Sequence, residues 1–484
     1  MLFNSLQFAI FFPAVTLGFY LLPPRVRWIW LLLASVYFYC CFIPIYFLIL
    51  VWTILVDYVA GILIERAQGK QRRFWLVASI VSNVGVLAFF KYANFALSNV
   101  ASVTHATIEP LHIILPIGLS FHTFQSMAYT IEVYRGKQPA ERNLGIFALY
   151  VLFYPQLVAG PIERPQNLLP QFHATQAFDY DRVKSGLELM AWGMVKKIVV
   201  ADRLAVTVNQ VYGRPGSYAE PVAALATFLF AFQIYCDFSG YSDIALGSAQ
   251  VMGIKLMTNF DRPYFSRSIA EFWRRWHISL STWFRDYLYI PLGGSRGTLR
   301  RTCLNLLIVF TISGLWHGAS WTFVIWGFLH GSYLIASILT RKARERAAGW
   351  VGLNRAPTLA NALSVTVVFC LVGITWVFFR ASNLSEAIFI LRRVTFGVLQ
   401  VRHPGVFLRA ILDVPGLRFA VPMQLAAVGC LIGVELLDRR WGGLRALLAR
   451  QPAWRRWPVY CAAILVLLIF SETSTPTSFI YFQF

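Results

Sequence analysis

Two histidines, each following a tryptophan, are the residues of this sequence best suited to chemistry. One is His277 in Arg274-Arg275-Trp276-His277-Ile278-Ser279; the other is His317 in Gly314-Leu315-Trp316-His317-Gly318. Both lie in or beside runs apolar enough for a membrane, where an ionisable side chain is costly and marks function by default. An imidazole titrates near working pH, and burial favours its neutral form, which can take a proton from an attacking hydroxyl. His317 reads as a general base and His277 as a group that orients or polarises whatever is attacked. The structural alternatives are an imidazole at 317 bonded to a carbonyl, pinning a broken helix, and a plain interfacial histidine at 277.

The neighbouring polar residues have weaker claims. Trp316 adjoins His317, and Trp321, four residues on, shares its face if the helix resumes there, walling the site against water. Tyr235-Cys236-Asp237-Phe238-Ser239-Gly240-Tyr241-Ser242-Asp243 ends an apolar run. Asp237 and Asp243 with Ser239 and Tyr241 suit cation binding or acid-base work, but a cap for a helix restarting near Ile244 is the commoner use and is favoured. Arg285 and Asp286 follow His277, and an ion pair or cap is the ordinary fate of such neighbours. His105, His112, His173 and His403 fall in polar loops, while His122 and His330 read as hydrogen-bonded packing residues. The seven cysteines lack metal spacing, so no metal site is expected. There is no G-x-S-x-G elbow, Walker A loop, H-E-x-x-H or G-x-G-x-x-G fingerprint.

The elements that position these residues must be membrane helices. The chain is 57% hydrophobic and only 13% charged, too apolar for a soluble protein of 484 residues. Apolar runs at 5–22, 28–44, 46–64, 74–90, 113–131, 144–159, 221–236, 304–339, 361–379, 420–437 and 458–471 predict an all-α polytopic fold. About 9–12 spanning helices are expected, with interfacial and re-entrant helices besides, in a single domain over 1–484 whose motif-rich core is 113–380. The net charge of +21 sits in short loops between apolar runs, as the positive-inside rule and contact with anionic lipids require, so nucleic acid is not an expected partner. The segment 1–22 reads as a retained first helix with its N-terminus outside, and the loop from Ala93 to His112 reads as outward-facing. The arginines at 439, 440, 445, 450, 455 and 456 form a cytoplasmic loop.

Three stretches resist a simple span. Gly186 to Val208 carries Lys196, Lys197, Asp202 and Arg203 in apolar sequence, which predicts a helix lying in the interface. Arg262 to Arg301 sets eight arginines against Glu271 and Asp286 and places Trp273, Trp276 and Trp283 on one helical face, again interfacial. Leu304 to Leu339 has no Asp, Glu, Lys or Arg, yet both flanks are basic. It must therefore turn back, and Ser313 to Gly318, with its two glycines, is the expected break, with His317 at depth.

Taken together the motifs resemble the membrane-bound O-acyltransferase family, and within it the bacterial branch that includes the membrane subunit of alginate O-acetylation. The matching residues begin with Phe153-Tyr154-Pro155-Gln156-Leu157-Val158-Ala159-Gly160-Pro161-Ile162, Val195-Lys196-Lys197, Ala201-Asp202-Arg203 and the Asp237 to Asp243 run. They continue with Phe272 to Ser281, Phe284-Arg285-Asp286-Tyr287, Leu315-Trp316-His317-Gly318, Trp376-Val377-Phe378-Phe379-Arg380-Ala381 and Phe479-Ile480-Tyr481-Phe482. The resemblance implies His317 as the catalytic histidine and His277 as a second site residue. It also implies an acyl thioester donor such as acetyl coenzyme A on the cytosolic side, with no permanently bound cofactor. The expected location is the bacterial inner membrane. The expected partners are a periplasmic hydrolase-like acetyltransferase of the SGNH type and exopolysaccharide-synthesis machinery. A transporter with proton-relaying histidines is the alternative class, disfavoured by the lack of repeat symmetry and of intramembrane carboxylates; a scaffold anchoring a secreted enzyme is a third.

Overall fold

A computed structural model describes residues 1–441, 443, 447–448, 450–471 and 479–480. Arg445 of the last basic loop and Tyr481-Phe482 of the terminal motif lie outside the described residues, as do the side chains of Arg439 and Arg440. All the regular structure is helical, with no strand among the described residues. Seven of its helices are long and apolar enough to cross a membrane: Pro44–Arg66, Gly69–Thr104, Glu220–Val251, Trp321–Leu339, Pro357–Arg380, Leu417–Leu437 and Ala453–Phe470. The expected first helix is Leu6–Leu21, apolar but short. The chain is an all-α, multi-pass membrane protein.

Two compact units emerge, the first comprising Met1–Met194 with Tyr241–Thr258, the second Val195–Gly240 with Asn259–Ser471. The first unit is tied through a buried carboxylate. Asp57 accepts hydrogen bonds from Ser79 (2.6 Å), Asn83 (2.9 Å) and Ser126, joining the helices Phe47–Arg66, Gly69–Leu87 and Leu119–Tyr134. A charge at that depth is tolerable only with such a complement of donors. Two sequence expectations fail in this unit. The run 144–159 is a nine-residue helix, Leu144–Leu152, followed by a buried turn, because Pro155 cannot continue the ladder and Gly160 folds back onto Gln156. The supposed outward loop from Ala93 is helical as far as Thr104, carried on from the preceding helix by the π-helical turn Ala88–Tyr92.

The second unit holds both tryptophan-histidine motifs. Its centre is a hairpin of two nineteen-residue helices, Leu299–His317 and Trp321–Leu339, each roughly 28 Å long at 1.5 Å per residue. The segment does turn back, but at Gly318 to Ser320, and Ser320 caps the returning helix by accepting from the Thr322 N–H. Gly314 does not weaken the first helix. A Cβ placed there would lie 3.0 Å from the Gly327 nitrogen, and one on Gly327 would lie 3.0 Å from the Gly314 Cα, so these glycines let two backbones meet. Gly318 is required at the turn because the Phe323 ring occupies the space a Cβ would take.

Both expected interfacial helices are corrected as well. Lys196, Lys197 and Asp202 are buried, because the chain passes through a π-helical stretch, Val195–Ala201, that turns both lysines inward. The tryptophan-rich stretch is two short helices, Ile269–Arg275 and Ile278–Phe284, separated by a left-handed His277, so the three indoles share no single face. Trp273, Trp276 and Trp283 are all buried, while Arg274 and Arg285 stay exposed.

Candidate active site

His277 is held by its backbone. Its φ of 43° is left-handed, a conformation that costs a non-glycine residue about 1–3 kcal/mol and persists where the surroundings dictate it. The dictating element is Asn259. Its carbonyl accepts from the Ile278 N–H (2.9 Å), and its side-chain oxygen accepts from the Ser279 hydroxyl (2.6 Å). Just beyond it, the Asp261 N–H donates to the Arg275 carbonyl (3.0 Å), so both sides of the kink are pinned. The imidazole thus turned inward has 0% exposure and packs edge-to-face on Phe238, centroids 4.6 Å apart. Burial pushes its pKa down to about 3, which keeps it neutral across working pH.

His317 ends its helix inside an aromatic box. Its ring meets Trp316 at 4.9 Å, Trp326 at 5.0 Å and Phe379 at 5.6 Å, and Trp316 also meets His277 at 6.4 Å. The two histidines therefore share one indole as a common neighbour. The wall is made by Trp326 and Phe379 rather than by Trp321, which opens the returning helix and is 55% exposed. Trp326 was legible as a neighbour of His330, four residues on in the same helix, but nothing in the sequence placed it on His317.

The polar cluster of Glu220–Val251 does not cap anything, since that helix runs unbroken through it. Asp237 instead pairs with Lys197 (2.6 Å), which also meets Asp202 (2.8 Å), and Ser239 accepts from Lys196 (3.1 Å). Burial works against the Lys197 charge, but Asp237 and then Asp202 outweigh it and hold its pKa above the ordinary lysine value. Asp237 thus lies beside Phe238, the residue that backs His277. Tyr241 points elsewhere, onto Phe3 (4.4 Å), and Asp243 is partly buried further along. Arg285 and Asp286 form a simple ion pair at 2.8 Å, largely in the open. His330 is the expected packing histidine: Trp273 Nε1–H donates to its Nδ1 (3.3 Å) and Thr375 Oγ1 lies 3.0 Å from its Nε2. His122 likewise bonds the Gly118 carbonyl, at 3.1 Å.

A cavity of about 440 Å³ opens beside this centre, lined by Trp273, Ile278, Leu306, Phe310 and Ser313, with Arg274 and Arg285 also on its wall. Leu306, Phe310 and Ser313 follow the helical spacing that leads to His317, so this wall is the helix face on which the histidine stands. Among the described residues no group of His, Cys, Asp and Glu side chains converges to hold a metal ion.

Residues 142–379, which include both histidines, match the model of the membrane-bound O-acyltransferase family. Over its whole length the chain is 38% identical to the probable alginate O-acetylase AlgI of Pseudomonas aeruginosa, itself covered completely. The chain belongs to the membrane-bound O-acyltransferase family. This O-acyltransferase is also 32% identical to the peptidoglycan O-acetyltransferase of Helicobacter pylori, over 100% of its own length and 98% of that protein's. A more distant similarity, 26% identity over 54% of the chain and 69% of the relative, is to the teichoic acid D-alanyltransferase of Bacillus subtilis. The buried histidine pair therefore stands in an acyltransferase, and the transporter and scaffold readings fall away.

Proposed function

We propose that this acyltransferase moves an acetyl group from a cytosolic thioester, such as acetyl coenzyme A, across the bacterial inner membrane for O-acetylation of an exopolysaccharide such as alginate. The observation that carries the reading is the pair of buried imidazoles on one indole, one of them, His317, at the tip of a helical hairpin. His317 takes the proton from the attacking hydroxyl, and His277, neutral and fixed by its left-handed backbone, orients the acyl group beside the Trp316 indole that both histidines contact. The apolar cavity suits the donor's thioester arm, with the exposed guanidinium groups of Arg274 and Arg285 meeting its phosphates. A secreted hydrolase-like transferase of the SGNH type and polysaccharide-synthesis machinery are the partners this reading requires. Full-length relatives named for alginate and peptidoglycan acetylation support a cell-envelope acceptor. His317→Ala in the intact cell is expected to abolish acetylation of the polysaccharide while membrane insertion and expression persist. Normal acetyl content in that strain would overturn the proposal.

A further inference from the structure

Trp326 is buried to 1% exposure, and its Nε1 has no hydrogen-bond partner among the described residues. Such a group is uncommon, because a buried indole N–H normally finds an acceptor and an orphan asks for an explanation. Two neighbouring indoles obey the rule: Trp273 donates to His330 Nδ1 at 3.3 Å and Trp376 donates to the Tyr264 hydroxyl at 3.2 Å. Trp326 is wedged so that it cannot turn to seek one. It stacks on Trp376 (6.1 Å, 24°) and meets Phe379 (5.4 Å), His330 (4.9 Å) and His317 (5.0 Å, 81°) edge-to-face. Behind it Gly327 fixes the backbone against the neighbouring helix. The result is a rigid, buried indole with an uncommitted N–H, packed against the ring proposed to take the acceptor's proton.

We propose that Trp326 Nε1–H is an oxyanion donor for acyl transfer at His317, an inference that rests on the role assigned to His317 above. As the acceptor oxygen bonds to the thioester carbonyl carbon, its proton passes to His317 and the carbonyl π pair moves onto oxygen, where the indole N–H donates to it. When the pair returns, the carbon–sulfur bond breaks and the thiolate leaves, recovering the proton from the imidazolium. Atoms and charge balance without a co-reactant. A donor fixed before the reaction strengthens as charge develops on the oxygen and costs no reorganisation.

The test replaces Trp326, in the full-length protein in its own membrane, with 3-benzothienylalanine, which keeps the ring shape and puts sulfur in place of the N–H, and in parallel with Trp326→Phe. Removal of an oxyanion donor lowers kcat about a hundredfold or more, so both variants should fall that far with KM within twofold of the parent. Full turnover by the benzothienyl variant would overturn the proposal, even if Trp326→Phe were inactive, because packing alone would then explain the residue. A rise in KM at constant kcat would overturn it too, since that signals uniform binding. The His317→Ala arm separates the layers. If that variant remains active the underlying role of His317 fails, whereas an inactive His317→Ala beside an active benzothienyl variant sinks only the oxyanion role.

Discussion

Replacing Gly327 with alanine sets two effects of opposite sign against each other. The added Cβ would stand 3.0 Å from the Gly314 backbone and closer still to the Phe310 carbonyl oxygen, whereas ordinary van der Waals contact begins at 3.4 Å. Both neighbours are backbone, so relief comes only by moving the Trp321–Leu339 helix off its partner, and overpacking of this kind costs about 1–3 kcal/mol. Alanine recovers about 1 kcal/mol of helix propensity over glycine, so net stability should fall by no more than about 2 kcal/mol. Activity is far more sensitive. The same helix carries Trp326, the partner helix carries His317, and a misplacement of about 1 Å in a reacting constellation can cost a hundredfold in rate. Gly327→Ala is therefore expected to keep most of its thermal stability in detergent while losing about 99% of acyl transfer in membranes. Two companions calibrate the result. Gly331→Ala meets the Leu307 Cα at 3.2 Å and should lose less than tenfold, and Gly373→Ala, with nothing within 4 Å, should be fully active. Wild-type turnover by Gly327→Ala would refute the claim that the hairpin contact sets the geometry of the site.

Two further outcomes follow from buried charge. Lys197→Met leaves Asp202 and Asp237 without the cation between them, and breaking such a buried set typically costs about 3–5 kcal/mol; thermal unfolding should show it, with partial recovery in Lys197→Met/Asp237→Asn, and an unchanged melting temperature would contradict the pairing. Glu163 accepts from the Met257 N–H and from Asn167, and burial raises its pKa from 4.5 to about 7, the hydrogen bonds only partly opposing it. A folded-state pKa raised in this way gives stability that is complete below about 4.5 and is lost as pH rises through about 7. Glu163→Gln should flatten the fall in melting temperature between pH 5 and pH 8, and an identical slope in both proteins would count against that linkage.

What the sequence could reveal here depended on how local the cause was. Basic flanks on both sides of Leu304 to Leu339 were enough to require a hairpin, and the tryptophan-histidine spacing was enough to pick out His277 and His317. The expected break reached the true turn only at its last residue, Gly318, since Gly314 looks like a breaker in sequence and acts as a contact only once Gly327 faces it. That displacement also put Trp321 where Trp326 belongs. The left-handed His277 depends on hydrogen bonds that Ile278 and Ser279 donate to Asn259, distant in sequence and bound by no periodicity, so an uninterrupted amphipathic helix was the natural expectation. Asp237 looked like a cap because its real partner, Lys197, comes from another helix, and because a π-helical stretch is needed to turn that lysine inward.

The hydrogen bonding of His330 bears on where protons can travel. Trp273 donates to Nδ1, so the ring proton rests on Nε2 and is given to Thr375, whose own hydroxyl is donated to the Val372 carbonyl at 2.7 Å. Every hydrogen along that line is committed in one direction and ends on a peptide oxygen. Beyond Trp326 this line therefore offers no relay: a proton taken up at His317, in the role proposed for it, has no route through His330. Under the mechanism proposed above, arrival of the acceptor's proton and departure of the thiol are then two halves of one local exchange, with the proton returned where it was taken.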